Sequence, residues 1–258
     1  MNRMAIVAHN TFREAVRDRV LYSLVFFALV MIAAAILVGE ISIGIEQIVI
    51  VTLGLSAISI IGLLIAVFIG VGLVSKEMDK RTLYALLAKP VRRWEFLLGK
   101  FAGLVLTLAV NTAAMAVGLF AAMSLVQQRT EHMNLPVAVA IYFIILKLAL
   151  VVALALLFSC FTTPLLSILY TSGLYIAGLF VTEMRTYHGP TISKTMQAVF
   201  RWISYVLPNF ENFDVMGSAA HAREIPNALI AQNTAYAALY CAIVLAAAAV
   251  IFTRRNLK

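Results

Sequence analysis

Lys147 is a charged residue in the middle of a long apolar block, and Asn111 is a polar residue inside another. An ammonium in lipid is costly, so it marks a binding contact or is relieved locally. Three readings stay open for Lys147: contact with an anionic substrate or lipid headgroup, a structural pair with a carbonyl or Asn111, and snorkelling to the interface. The groups that could do covalent chemistry are scattered. No G-x-x-x-x-G-K-[ST] stretch is present to cradle phosphates, and neither H-E-x-x-H nor G-x-S-x-G occurs. His9, His132, His188 and His221 are far apart in the chain. An intramembrane protease needs a paired nucleophile and base, or paired aspartates, within its apolar blocks. Asp18, Asp79 and Asp214 stand outside those blocks. Cys160 and Cys241 lie inside them and read as small buried side chains, without the cysteine and histidine spacing of a metal site. The expectation is a chain that is not an enzyme, with no catalytic residue, metal or cofactor.

The elements that carry these residues follow from composition. Of 258 residues 63% are hydrophobic and only 12% charged, and the mean hydropathy is +0.97. A soluble domain of this size could not hide so much apolar surface. The apolar residues also fall in runs of the length, about 20 residues, that crosses a hydrocarbon core of about 30 Å. Every such run must be helical, because lipid offers no partner for free backbone groups. The sequence predicts an all-α integral membrane protein, one transmembrane domain over 1–258, with six spans at roughly 20–39, 48–74, 95–126, 137–161, 164–182 and 228–253. Pro136, Pro164 and Pro226 precede or open three of them, a favourable place for proline. No cleavable leader is evident, so the first block reads as a retained helix. Gly99 and Gly103 make a G-x-x-x-G at the start of the third span, which permits close helix contact. Gly70 and Gly72 allow a bend near the end of the second.

The net charge of +8 sits between apolar blocks, with no separate basic domain, so it reads as membrane orientation and not as nucleic-acid binding. One side holds Arg3, Arg13, Arg17, Arg19, Lys76, Lys80, Arg81, Lys89, Arg92, Arg93, Lys100, Arg254, Arg255 and Lys258, which is 14 of the 20 Lys and Arg. The other side holds Arg129, Arg185, Lys194, Arg201 and Arg223. The positive-inside rule then puts both termini in the cytoplasm. Residues 4–19 suit an amphipathic helix in the membrane surface, with Ile6, Phe12 and Val16 near one face. The outer loop, 183–227, repeats apolar residues at Met196, Val199, Phe200, Ile203 and Leu207. That stripe predicts a short amphipathic outer-face helix between spans 5 and 6, lying on the outer leaflet or serving as a lid on the bundle.

The cytoplasmic loop at 75–94 is longer than a connector needs to be. From Glu77, its Leu83, Leu86 and Leu87 can form one face of a short helix, which Pro90 ends. Residues 72–103 resemble the permease subunit of a type-2 ATP-binding-cassette (ABC) exporter. The resemblance rests on Glu77, Arg81-Thr82-Leu83, Leu86-Leu87, Lys89-Pro90-Val91, Arg93 and Gly99-Lys100. Lys80 and Arg81 depart from it, since glycine is frequent there in the family. Residues 10–22, LPNF at 207–210 and the terminal FTRRNLK resemble the subgroup linked to multicopper-enzyme maturation.

The resemblance implies a machine. Two copies of the six-span subunit pair as a homodimer in a bacterial-type cytoplasmic (inner) membrane. Two copies of a separate ABC ATPase subunit dock below. The coupling helix, near 77–88, carries Glu77, Arg81, Thr82, Leu83, Leu86 and Leu87. Spans 2 and 5 line the path, with Lys147 and Asn111 as candidate path residues. An apolar interior suits a lipid, lipid-linked glycan or amphipathic peptide, and the subgroup points to a sulfur- or metal-related cargo. A channel or secondary carrier would instead need a polar path through the spans, and a membrane scaffold would show no substrate-dependent ATP turnover.

Overall fold

The computed structural model describes residues 3–42, 44–79, 93–126, 134–186, 200 and 202–254. Among these residues the elements are helical, with no strand. In chain order they are α1 (Arg3–Val16), α2 (Arg19–Ile41), α3 (Glu46–Asp79), α4 (Arg93–Val126), α5 (Asn134–Ser159) and α6 (Pro164–Leu179). Then follow α7 (Val181–Thr186), a 3-10 turn (Glu211–Phe213), α8 (Met216–Ala220) and α9 (Asn227–Arg254). Their existence follows from long apolar runs that must satisfy their own backbone groups.

Among the described residues five helices are long and apolar enough to cross a membrane: α2, α3, α4, α5 and α9. The predicted fifth span differs. Its helix α6 has 16 residues, about 24 Å at a rise of about 1.5 Å per residue. The chain bends at Phe180 and continues as α7.

The bend has a local cause. The Phe210 amide donates to the Gly178 carbonyl at 3.1 Å, and the Asn209 side-chain amide donates to Thr182 Oγ1 at 3.1 Å. A distant segment therefore takes up polar groups just where α6 stops.

Consecutive long helices alternate in direction from α3 to α5. A Cβ added at Gly62 would meet Leu148 and one at Gly70 would meet Ala155, so α3 and α5 run parallel. α4 runs against both, bringing Leu104 and Leu108 beside Ile69 and Ile65. We call the end where α3, α5 and α9 begin the upper end. The seam of Ile65, Ile69, Leu104, Thr107, Leu108 and Val152 has no room for a water molecule. The bundle is dry there.

Two long helices outrun the bilayer. α3 and α4 each have 34 residues, about 51 Å against a hydrocarbon core of about 30 Å. The sequence ends the second span near 74, whereas the helix runs on to Asp79. Continuing the backbone ladder satisfies the groups that a loop there would leave open.

α1 lies along the lower part of α4. Its buried residues are Val7, Thr11 and Ala15. Ile6 is exposed, while Phe12 and Val16 are half-buried. The small residues thus seat the helix, and the predicted apolar stripe is left mostly for the surroundings. The seat is the G-x-x-x-G of α4: Gly99 faces Val7, and Gly103 faces Ala8 and Thr11. At the same end, Phe96 of α4 stacks on Phe252 of α9 with centroids 6.3 Å apart. Lys100 is 1% exposed, and its ammonium lies 5.6 Å from the Phe96 centroid.

Candidate functional site

The connection after α7 is read from the sequence as an outer loop, yet its second half folds inward. Phe210, Phe213, Val215, Ala219 and Ala220 are buried. Phe210 packs on Tyr175 of α6 at 4.9 Å between centroids, and Phe213 meets Phe143 of α5 edge-on at 6.5 Å. Ser56 Oγ of α3 contacts Met216 Sδ at 3.9 Å. Ser56 lies about 15 Å along α3 from Glu46, and Phe143 about 14 Å along α5 from Asn134, at about 1.5 Å per residue. The segment therefore plugs the upper bundle, reaching about 14–15 Å along α3 and α5 from their upper ends.

Asparagines hold the plug without hydropathy. The Asn209 amide N–H donates to the Tyr236 hydroxyl at 2.9 Å, and Asn209 Nδ2 also donates to Asn212 Oδ1 at 3.2 Å. Asn233 Nδ2 of α9 donates to the Asn212 carbonyl at 2.6 Å. Buried polar groups must be paired, and these are. The helical stretch at 202–206 is tied down the same way. Arg185 donates to the Ser204 carbonyl at 2.9 Å, and the Tyr240 hydroxyl donates to the Val206 carbonyl at 2.8 Å. Ser204 is its buried residue; Ile203, Trp202, Tyr205 and Val206 face outward. Met196 and Val199 of the predicted stripe lie outside the described residues.

Below the plug sits Lys147. It is 5% exposed, and its ammonium donates to Ser59 Oγ of α3 at 2.6 Å. Asp214, on the plug, interacts electrostatically with Lys147 and with Tyr175. The Asp214 side chain is exposed, and its Oδ1 accepts from the Met216 amide at 3.2 Å. Asn111 Nδ2 donates to the Thr107 carbonyl at 2.8 Å, and Thr107 Oγ1 donates to the Gly103 carbonyl at 2.9 Å. Those bonds run down α4 itself, beside the dry seam. Asn111 and Lys147 thus take different hydrogen-bond partners, Thr107 on the same helix and Ser59 on another.

Removing that serine tests the pairing. Ser59→Ala should lower stability by about 1–3 kcal/mol, because a buried donor loses its acceptor. Lys147→Met removes the charge as well and should be close to neutral for folding. In the Lys147→Met background, Ser59→Ala should then have little effect. Thermal unfolding of the four detergent-solubilised proteins reads this cycle, and additive losses would refute the pairing.

Glu77 lies in the last turn of α3. Arg81, Thr82, Leu83, Leu86 and Leu87 lie outside the described residues. Among the described residues no group of three His, Cys, Asp or Glu could hold a metal ion, and both cysteines are buried.

The bundle, its inward plug and its extended lower helices agree with a match across nearly the whole chain: the profile of the ABC-2 family transporter protein covers residues 5–257. The chain belongs to the ABC-2 family. Among curated proteins none matches it. An ABC-2 chain is a multi-pass membrane component of an ABC transporter, not itself catalytic, and the family normally works with an ABC ATPase. The residues that this ABC-2 chain brings together and that sequence reasoning missed are Ser59, Tyr175, Gly178 and Asp214. An aspartate close before a short run of small residues, in a loop rich in asparagine, was the available signal for the plug.

Proposed function

We propose that the chain is the permease subunit of an ATP-driven exporter, paired with a second copy and served by two copies of a separate ATPase. The observation that carries this reading is the family match over 5–257 in a chain without a phosphate-binding loop. The work must then enter from another polypeptide. The route for it is the segment near 77–88, with Glu77, Arg81, Thr82, Leu83, Leu86 and Leu87 as its docking surface. That segment lies between the two helices that outrun the bilayer, α3 and α4. A push on it acts on two rigid levers, and α4 also carries α1 and touches α9. Rigid levers are what a two-state rocking of subunits requires.

Six crossings fit this reading. α6 and α7 together would span about 33 Å, enough for a bent sixth crossing. Both termini then lie in the cytoplasm of a bacterial-type inner membrane, as the charge distribution favours. The path runs between the two copies, since the seam inside one copy is dry. α3 and α6 line it. Exposed Leu165, Leu169, Tyr170 and Ile176 leave one face of α6 open for that role. Lys147 influences the path from behind, and Asn111 belongs to the helix backing it. The terminal and LPNF stretches favour the multicopper-maturation subgroup within the family.

The experiment is a replacement of 77–88 by glycine and serine, with the variant co-expressed with its partner ATPase. The expected result is a chain that still inserts but no longer associates with the ATPase or supports coupled hydrolysis. Unchanged association and coupling would remove the coupling role, and transport that persists without any ATPase would favour a channel or carrier.

A further inference from the structure

The short helical stretch at 202–206 shows its surroundings a face that the transport reading leaves without a role. Trp202, Tyr205 and Val206, three and four positions apart, share that face and are exposed. Two ties fix it in place. Arg185 of α7 donates through Nε to Ser204 Oγ at 3.3 Å and through Nη2 to the Ser204 carbonyl at 2.9 Å. The Tyr240 hydroxyl donates to the Val206 carbonyl at 2.8 Å. The same guanidinium lies over the Tyr205 ring, 5.3 Å from its centroid. Among the described residues Arg185 Nη1, the Trp202 indole N–H and the Tyr205 hydroxyl donate no hydrogen bond. A guanidinium and an indole can only donate. The stretch itself carries no carboxylate, and Glu183, two residues before Arg185, falls on nearly the opposite side of α7. The face therefore offers donors and a positive charge, and its complement is an anion rich in acceptors. Apolar neighbours say which anion. α6 exposes Ile176, and Phe180 is exposed at the bend before α7 reaches Arg185. Apolar surface thus gives way to donors along one run of chain, the order in which a lipid presents acyl chain and then phosphate. Tryptophan and tyrosine favour that boundary, and the planar fork of arginine suits phosphate.

We propose that Arg185, Trp202 and Tyr205 form a seat for the phosphate of a membrane phospholipid, whose acyl chains lie against Val206 and Phe180. The guanidinium supplies the charge and is oriented beforehand by Ser204 and the Tyr205 ring. The indole N–H and the phenol donate to the remaining phosphate oxygens. The bound lipid is clamped to the stretch that leads directly into LPNF, so it helps to hold the entry to the plug.

The test uses the full chain as Trp94→Phe, which leaves Trp202 as the sole tryptophan of the two in the chain. In dodecyl maltoside its emission is titrated with dioctanoyl phosphatidylglycerol, with dioctanoylglycerol, which lacks the phosphate, and with glycerophosphoglycerol, which lacks the chains. The phospholipid should bind about tenfold tighter than either, the scale of one charge-assisted contact. Arg185→Gln should bring phospholipid and dioctanoylglycerol within about twofold of each other. Because Arg185 also holds Ser204, Tyr205→Phe is read beside it. That change keeps the ring and both ties and should cut the preference by about threefold. Tyr240→Phe removes a tie but no donor to the phosphate, and should leave the preference intact. In liposomes, phosphatidylcholine brominated near the headgroup end of its chains should quench Trp202 more than one brominated near the methyl end. Equal binding of phospholipid and dioctanoylglycerol, equal binding of the bare headgroup, or a preference unchanged in both Arg185→Gln and Tyr205→Phe would overturn the proposal. So would a Trp202 that neither brominated lipid quenches, and a smaller oligomer in Trp202→Glu would then assign the face to a second copy. Binding is read without ATP or ATPase, so neither result bears on coupling.

Discussion

Gly178→Val should expel the inward plug from the upper bundle and lower the thermal midpoint by on the order of 5 °C. A Cβ at this position would lie 2.5 Å from the Pro208 carbonyl oxygen and 2.5 Å from Phe210 Cδ2. The ring can turn, but the carbonyl is backbone and cannot swing aside. The same glycine also accepts the Phe210 amide at 3.1 Å, so any retreat breaks that bond. Overpacking of this kind costs about 1–3 kcal/mol. In lipid the loss is one of packing and hydrogen bonding, because apolar burial between helices has no aqueous drive there. The check combines a thermal shift with maleimide labelling of a cysteine placed at Ser218 on α8. Wild-type spacing should protect that cysteine, and Gly178→Val should speed its labelling. An unchanged midpoint together with unchanged labelling would show that LPNF does not need this glycine.

Gly103→Leu should detach α1 from α4. The added Cβ would meet the Ala8 carbonyl oxygen at 2.6 Å and Thr11 Cβ at 2.7 Å, again a backbone contact. α1 packs chiefly on α4, so little else holds it. A penalty of about 1–3 kcal/mol is about a five- to hundredfold shift toward the detached state. Arg13 on α1 and Arg17 just after it are exposed, and trypsin needs local opening of a helix to cut there. Cleavage at these two arginines should therefore accelerate by about tenfold, while membrane insertion is kept. On the coupling reading, hydrolysis by the partner ATPase should also lose its dependence on the permease. Trypsin resistance equal to wild type would mean that α1 is held by something other than its glycine seat.

The all-helical membrane character was legible because it depends on local quantities. An apolar run either reaches the length of the bilayer or it does not, and α2, α3, α4, α5 and α9 each do so. The G-x-x-x-G at Gly99 and Gly103 was legible as a contact, but its partner was not. Nothing in the spacing distinguishes another span from α1, and only the packed structure shows Val7, Ala8 and Thr11 in that seat. Ile6 and Phe12, the apolar residues that catch the eye in α1, are not the ones it buries. Periodicity reports an apolar face and not whether protein or lipid covers it.

What the sequence by itself determined about this protein is its solvent: the lengths of its apolar runs, the helices these must form and the placing of its basic residues between them. The tertiary structure alone decided which polar groups meet. Ser59 and Lys147 pair from different helices, and Asn233 of α9 holds the inward segment at the Asn212 carbonyl. A hydropathy pattern sums free energies of single residues in lipid or water. These contacts are pair energies between residues distant in the chain, and a pair energy has no value until the fold sets the distance.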